Sequence, residues 1–445
     1  MTGTLAPEHL RELGRAEGGG DTLALLTADQ HTRRLLLLRL LFDAVGAAPL
    51  PLARDHADLL EHAERAAPEA ARRVLFYPLT GPWAESCVRQ LERGAPSEAA
   101  RDLAHLGSVA AAAAIRAGLD FTTSAPLRDG RMTLPTLGAL HSAAPDGALA
   151  DLSGRDGLLI MRTPGEPPLE VRRDPDGSWH SDDPRWLPLR TLDGGPRPVL
   201  LDDLDPGPLA ARTSAPGGAH ARRELPPGER EHWAALWQGA LPLLHLGGAA
   251  RSAELALLDC IVPMAEPADT EVGHSSGTSP GAFGAVLASP PPSPALLAAG
   301  LTHELQHAKL AALSELTPLH TAGAERRHWA PWRPDPRPFD GLLHGAYAHL
   351  ALAAFWQRLA LSLADPAERD YSWAAHARCW AQVAAVLPVL RDTRRLTDAG
   401  REFVRAMAER HEQLRRPRPP DGHLVRATAY VETARTLWSR QHARQ

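Results

Sequence analysis

The chain has 445 residues, 44% of them hydrophobic and 23% charged, which is the balance of a globular protein with length for two or three domains and not of a disordered one. Its 48 basic and 53 acidic residues leave a net charge of −5, so no overall basic field points to nucleic acid or to an anionic membrane surface. Only Cys87, Cys260 and Cys379 are present, widely spaced and odd in number, which excludes a disulfide framework and a CxxC thiolate site and leads us to expect a reducing, cytoplasmic setting.

Arginine far outnumbers lysine, and alanine, leucine and proline are abundant, a coding bias and not a functional signal. The first residues, MTGTLAPEHLRELGRAEGGG, carry early acidic groups and no apolar core, so no signal peptide is expected. No run of about 18 apolar residues occurs, so no membrane span is expected either.

In chain order, residues 7–15 read as a short helix punctuated by Gly18-Gly19-Gly20-Asp21. From Thr22 to Val45 leucines recur at helical spacing, and Pro49 and Pro51 end the element. Residues 54–118 read as three further helices, broken at Tyr77-Pro78-Leu79-Thr80-Gly81-Pro82 and at Gly94-Ala95-Pro96. The pattern changes at Leu119. GLLIMRT, PLEVRRD, SWHS and PVLLDDL are strand candidates, with Arg128-Asp129-Gly130 as a hairpin turn and Asp174-Pro175-Asp176-Gly177 and Asp193-Gly194-Gly195 as further turns. Pro206 to Gly218 is rich in Pro, Gly and Ala and reads as a linker. Helix resumes at Pro227, with Trp233 and Trp237 one turn apart, to about Leu246. Residues 254–264 read as a buried strand or short helix, and 274–289 as a loop and a short strand from Phe283 to Ser289. Pro294 opens a helix over 295–313, and Leu343–Leu363, Ala367–Leu390, Asp398–Leu414 and Leu424–Ser439 complete a helical block. The expectation is an α+β fold, mainly helical, in three parts: a helical block over 1–118, a β-rich section and linker over 119–218, and a mainly helical block over 219–445.

That last block carries the chemistry. His303-Glu304-Leu305-Gln306-His307 is an HExxH pentapeptide inside the helix that Pro294 opens. Two histidines four residues apart share a helix face and can point at one metal ion. Glu304 lies about 100° round the helix with a side chain long enough to reach a metal-bound ligand. The structural alternative is a helix with two core histidines. A third ligand is needed. A metzincin places His six residues after the second histidine, and that residue is Leu313; Leu310 stands where its glycine belongs. Glu325 is in range of a gluzincin ligand but sits in GAERRH, without a second helical motif, and Glu315 shares the helix of His307. His344, between Gly341 and Gly345 at the start of the next long helix, is the better candidate, ahead of His320 and His328. His349 reads as a core or supporting group. Arg333 and Arg337 flank Asp335 in WRPDPRP, where prolines fix the backbone; such arginines suit bidentate recognition of a carboxylate, or else bridge to Asp335, Asp340 or Glu325.

LTHELQHAKLAAL followed by APWRPDPRPFDGLLHGAYAHLALAAFW resembles the HExxH family of peptide-modification proteins found with ribosomally made, post-translationally modified peptides. GLDFTTSAPLRDGRMTLPTLGAL and SSGTSPGAFGAVLASP resemble that family's recurring segments too, so the resemblance covers most of the chain. It implies a non-cupin fold and an Fe(II)- and 2-oxoglutarate-dependent β-hydroxylase that uses dioxygen on a precursor peptide. It also implies a radical-SAM maturase from the same cluster as a partner. Carried over, His303, His307 and His344 become iron-facing residues and Arg333 or Arg337 a 2-oxoglutarate contact. The usual non-haem triad has one carboxylate, so a His-Glu-His site that includes Glu304 stays open. In this reading Glu304 orients a ligand or water. Ser275 and Ser276, in the Ser275–Ser279 loop, become candidate peptide contacts, with a surface turn as the alternative. Two other functions compete: a zinc metallopeptidase with Glu304 as general base, and a non-catalytic peptide-binding maturation protein.

Overall fold

The computed structural model of the protein describes residues 5–47, 52–94, 96–204, 224–265, 274–391 and 394–442. The expected linker from 206 to 218 and the prolines at 49 and 51 lie outside the described residues. Among the described residues seven helices open the chain: α1 (Pro7–Gly14), α2 (Gly20–Ala47), α3 (Ala53–Ala66), α4 (Pro68–Leu75), α5 (Thr80–Glu92), α6 (Pro96–Leu103) and α7 (Leu106–Arg116). The region after α2 thus holds five helices where periodicity suggested three. Pro68 takes the first position of α4, where a missing N–H costs nothing, and so hides a break inside a continuous apolar pattern. Pro82, read as a breaker, lies within the first turn of α5.

Ten strands follow: β1 (Phe121–Pro126), β2 (Arg131–Leu134), β3 (Gly138–His141), β4 (Leu149–Arg155), β5 (Leu158–Arg162), β6 (Leu169–Arg173), β7 (Trp179–His180), β8 (Trp186–Pro188), β9 (Arg190–Leu192) and β10 (Val199–Leu201). The four strand candidates correspond to β5, β6, β7 and β10. The turn at Arg128-Asp129-Gly130 is present, with φ of +49° at Asp129 and +74° at Gly130. Arg128 and Arg131 exchange backbone hydrogen bonds across it, a hairpin one pair long, beyond which its two arms enter different sheets. β1 pairs with β4 in the antiparallel sheet β1-β4-β5-β6-β7, and β2 with β3 in the sheet β2-β3-β8.

The remaining elements are α8 (Pro227–Leu246), α9 (Ala249–Glu254), β11 (Cys260–Pro263), β12 (Ser276–Gly277), β13 (Ala285–Ala288), α10 (Pro294–Leu316), β14 (His328–Ala330), β15 (Arg333–Arg337), α11 (Phe339–Ser362), α12 (Pro366–Arg391), α13 (Asp398–Gln413) and α14 (Asp421–His442). A mixed sheet runs β12-β13-β11-β10-β9, with parallel pairing of β10 to β11 and β11 to β13. The fold is α+β and mainly helical, with helical blocks around a middle of small sheets, none closed into a barrel. Among the described residues no helix is long and apolar enough to cross a membrane.

The mixed sheet delivers the motif. β13 leads through Ser289 and the prolines to Ser293, whose Oγ accepts from the Leu296 N–H and caps α10. α10 is buried on most sides, as expected of a central helix, and packs against α8 and α11. Its core partners include Trp233, Trp237, Tyr347 and Phe355, together with Leu10, Leu13 and Leu26 from α1 and α2. The rear of α10 carries a buried ionic network. Lys309, the only lysine in the sequence, has 0% exposure. Its Nζ donates to a Glu254 carboxylate oxygen, to Gln306 Oε1 at 2.8 Å and to the Glu17 carbonyl at 3.0 Å. Arg251 pairs with the other Glu254 oxygen at 2.9 Å. Burial pushes the Lys309 pKa down to about 8, against the pull of Glu254.

Glu254 serves two buried cations, so Glu254→Gln should cost about 3–5 kcal/mol. Lys309→Arg should cost about 1–3 kcal/mol from overpacking, although it keeps the charge. Urea denaturation measures both, and an arginine that is tolerated without loss would show that the pocket does not select an ammonium.

Candidate metal centre

His303 and His307 leave α10 on one face, and the imidazole nitrogens Nε2 of the two stand 3.1 Å apart. Two nitrogens bound at about 2.1 Å in neighbouring positions of one metal ion have a similar separation. His344, in the second turn of α11, stands at the other nitrogen of His307, with Nδ1 facing Nδ1 at 3.3 Å. One turn further, His349 Nδ1 donates to the Gly345 carbonyl at 2.8 Å, which leaves its Nε2 lone pair free for a metal or a proton. Its ring stands edge-on to His303 at 5.5 Å. The four histidines form one cluster. Among the described residues no three His, Cys, Asp or Glu side chains converge as a complete metal site. The α10 pair is in place, with the ring of His344 against His307 and that of His349 against His303.

Burial keeps the cluster neutral. It lowers His303 to about 3, with His349 adding to the effect, and His349 to about 4. Burial and then the neighbouring His303, His344, His349 and Arg337 hold His307 well below the ordinary value. Burial also lowers His344, opposed by Asp340. Neutral imidazoles are the form that binds a metal, so no proton has to be expelled first. The donor set therefore fits a divalent transition metal.

The surrounding residues position this cluster. Asp340 accepts from His320 Nε2 at 3.1 Å and lies 3.9 Å from His344 Nε2, a carboxylate placed to orient an imidazole. Gly345 has a steric role: a β-carbon there would come within 2.3 Å of the Trp332 ring. Trp332 uses that space and stacks on His349 at 4.5 Å between ring centres. Glu304 is buried on the other flank. Burial raises its pKa to about 7, against hydrogen bonds from Ser276 and Thr278. Ser276 Oγ donates to Glu304 Oε1 at 2.7 Å. Ser276 thus belongs to the Glu304 environment. Ser275 is drawn into backbone pairing with Ser289, with its Oγ left unpaired among the described residues.

WRPDPRP is a strand and not a loop. β15 pairs with β14 in a two-stranded ribbon, where proline at an edge removes no needed donor. Alternation puts Arg333, Asp335 and Arg337 on one face and the prolines on the other. Asp335 takes Arg333 Nε at 3.0 Å and Arg337 Nη1 at 3.4 Å. Arg337 Nε is buried and finds no hydrogen-bond partner among the described residues. The other acids are occupied elsewhere: Glu315 by Gln30 and Arg33, Glu325 by Arg327 and Arg395. His328 packs edge-on to Phe339.

No family model matches the chain, and no curated protein matches it.

The lowered histidine pKa values stabilise the fold fully above the ordinary 6.5, and this contribution is lost as the pH falls towards about 4 for His349 and about 3 for His303. In chelator, the urea midpoint should fall between pH 6.5 and 4, and His349→Asn should flatten that slope. The raised Glu304 has the opposite sign: its contribution is lost as pH rises from 4.5 through about 7. Glu304→Gln should therefore raise stability at pH 8. A parent-like pH profile in both variants would contradict these assignments. Gly345→Val should expel Trp332 from His349, red-shift the tryptophan emission and weaken metal binding by about 10–100-fold, as read by metal titration.

Proposed function

We propose that the protein is an Fe(II)- and 2-oxoglutarate-dependent oxygenase that hydroxylates a β-carbon in a ribosomally made precursor peptide. The observation that carries a metal-dependent reading is the pair of neutral α10 histidines with their Nε2 atoms 3.1 Å apart. The choice of iron and 2-oxoglutarate is supported by the segments that resemble the peptide-modification family and by Arg337, which keeps a buried Nε–H without a partner beside the histidines.

Iron(II) bound there would couple decarboxylation of 2-oxoglutarate, giving succinate and carbon dioxide, to insertion of one atom of dioxygen into a β-C–H bond. The residues of the chain have simpler tasks. His303 and His307 hold the metal, and His344 or His349 supplies the third nitrogen. Asp340 orients His344. Arg337 offers its Nε–H to the distal carboxylate of 2-oxoglutarate. Glu304, held by Ser276 and Thr278, stays partly protonated near neutral pH and can donate or accept a hydrogen bond at a metal-bound ligand. That same property favours a second reading, a zinc peptidase with Glu304 as general base.

The test is anaerobic loading with Fe(II) or Zn(II), then addition of 2-oxoglutarate, air and the short peptides encoded beside the gene. The iron protein should release succinate and add about 16 Da to a peptide without cutting it. His303→Ala should abolish iron binding and turnover. Arg337→Met should raise the KM for 2-oxoglutarate by about tenfold or more with a smaller change in kcat. Peptide cleavage supported by zinc alone would replace this reading with the peptidase.

A further inference from the structure

A cavity of about 1130 Å³ opens away from the histidines, and none of the four lines it. It exceeds the roughly 300–1,000 Å³ of common small-molecule sites. Its walls come from α2 and α4, from β7 and β9, and from the turn at Pro280–Gly281. Two features of these walls point to the same kind of ligand.

The first is cationic charge that the protein itself leaves without a counter-ion. Arg73, Arg116, Arg173 and Arg190 line the cavity. Arg116 donates only to neutral oxygens, both of Thr136, at 2.7 Å. Burial, and then repulsion from the nearby Arg73 and Arg173, lower its pKa to about 10. Among the described residues no hydrogen bond or ion pair engages the guanidinium of Arg73, Arg173 or Arg190. Of the carboxylates on the same walls, Asp259 pairs with Arg197 at 2.9 Å, Glu315 with Arg33 at 3.5 Å and Glu69 with Arg72 at 3.6 Å, Asp174 and Asp176 serve the Ser178 turn, and Glu85 and Asp193 complete the set. Guanidinium groups beyond those that these carboxylates engage stabilise an anion that enters from outside.

The second feature is backbone. β9 is the edge strand of the mixed sheet, paired only on its β10 side, and Arg190 and Thr191 on it are exposed and line the cavity. β7 is the edge of the antiparallel sheet and lines the cavity too, but its Trp179 carbonyl already accepts from Trp186. The outer edge of β9 therefore presents backbone N–H and C=O groups to whatever enters. A small anion uses the charge and not the edge. An extended peptide uses both.

We infer that this cavity is a docking site for an extended, acidic peptide segment, which adds as a strand to β9 while its carboxylates engage Arg73, Arg116, Arg173 and Arg190. The site uses no histidine of the metal cluster, so it stands or falls separately from the oxygenase reading.

The probe is a fluorescein-labelled peptide of alternating Glu and Val, titrated with the full chain and followed by anisotropy. The double charge reversal Arg173→Glu/Arg190→Glu changes exposed groups without partners in the fold, and circular dichroism checks that the fold is kept. The Glu-Val peptide should bind, its Lys-Val counterpart should not, and the double reversal should weaken binding by about tenfold or more. Binding should persist in His303→Ala, and N-methylation of alternate backbone nitrogens in the probe should weaken it. The inference is overturned if the Glu-Val peptide does not bind, if charge reversal leaves its affinity unchanged, or if the N-methylated probe binds equally well. It is also overturned if inorganic tripolyphosphate displaces the probe at concentrations as low as the unlabelled peptide, which makes the cavity a polyanion site.

Discussion

The buried ammonium of Lys309 fixes where α10 can stand. On α10, Thr302, Gln306 and Lys309 fall on one face and His303 and His307 beside it. The first face is sealed by Glu254, Arg251 and the carbonyls of the turn between α1 and α2. Rotating or sliding α10 would strand Glu254 and two cations in a dry interior, a penalty of several kcal/mol. The histidines beside that face are thereby held in register with α11 by interactions that do not touch them. An ammonium suits this pocket because its tetrahedral donors reach three separate oxygens. A planar guanidinium directs its donors differently and needs more room.

The histidine cluster has the opposite electrostatic character. Four imidazoles within a few ångströms of one another can coexist only if most stay uncharged, and burial ensures that. The result is a concentration of lone pairs with little competing positive charge except Arg337. A divalent cation at such a point would gain donor atoms in place of the hydrogen bond between His303 and His307. Glu304 adds a carboxyl group whose burial resists ionisation and whose hydrogen bonds from Ser276 and Thr278 encourage it. The balance leaves it near neutrality, where one residue can serve either as donor or as acceptor.

Much of this was legible in the sequence because it rests on local signals. Helical periodicity, Pro294 and the HExxH spacing defined α10 within one residue at its start and three at its end. His344 was a candidate because it opens the next long helix beside two glycines, and it stands against His307. What stayed hidden depends on contacts between distant segments. The arms of the Arg128–Gly130 turn separate because β4, beyond the next two strands in the chain, pairs with β1, and turn chemistry cannot report a partner that distant. Ser276 reads as a loop serine until β12 brings it to Glu304. Trp332 was not singled out, Asp340 entered only as a salt-bridge partner, and His349 as a core or supporting group. One signal was available and missed: a single lysine in a chain that otherwise uses arginine marks a place where composition bias gave way to geometry.

The two arginines of β15 also turn out to be unlike each other, although R-P-D-P-R is symmetric as written. Arg333 holds Asp335 at 3.0 Å through Nε, while Arg337 reaches it at 3.4 Å through Nη1 alone. Gly341 on α11 leaves room for the Arg337 guanidinium, since a β-carbon there would sit 3.1 Å from its Nε. Arg337 is therefore turned towards the helix that carries His344, with its Nε–H buried and unused. A carboxylate that arrives there displaces only the weaker half of the Asp335 bridge and gains a charge-assisted, desolvated hydrogen bond. Asp335, still held by Arg333, then keeps the ribbon in place. This asymmetry singles out Arg337 as the co-substrate contact in the oxygenase reading and leaves Arg333 with the task of anchoring the strand.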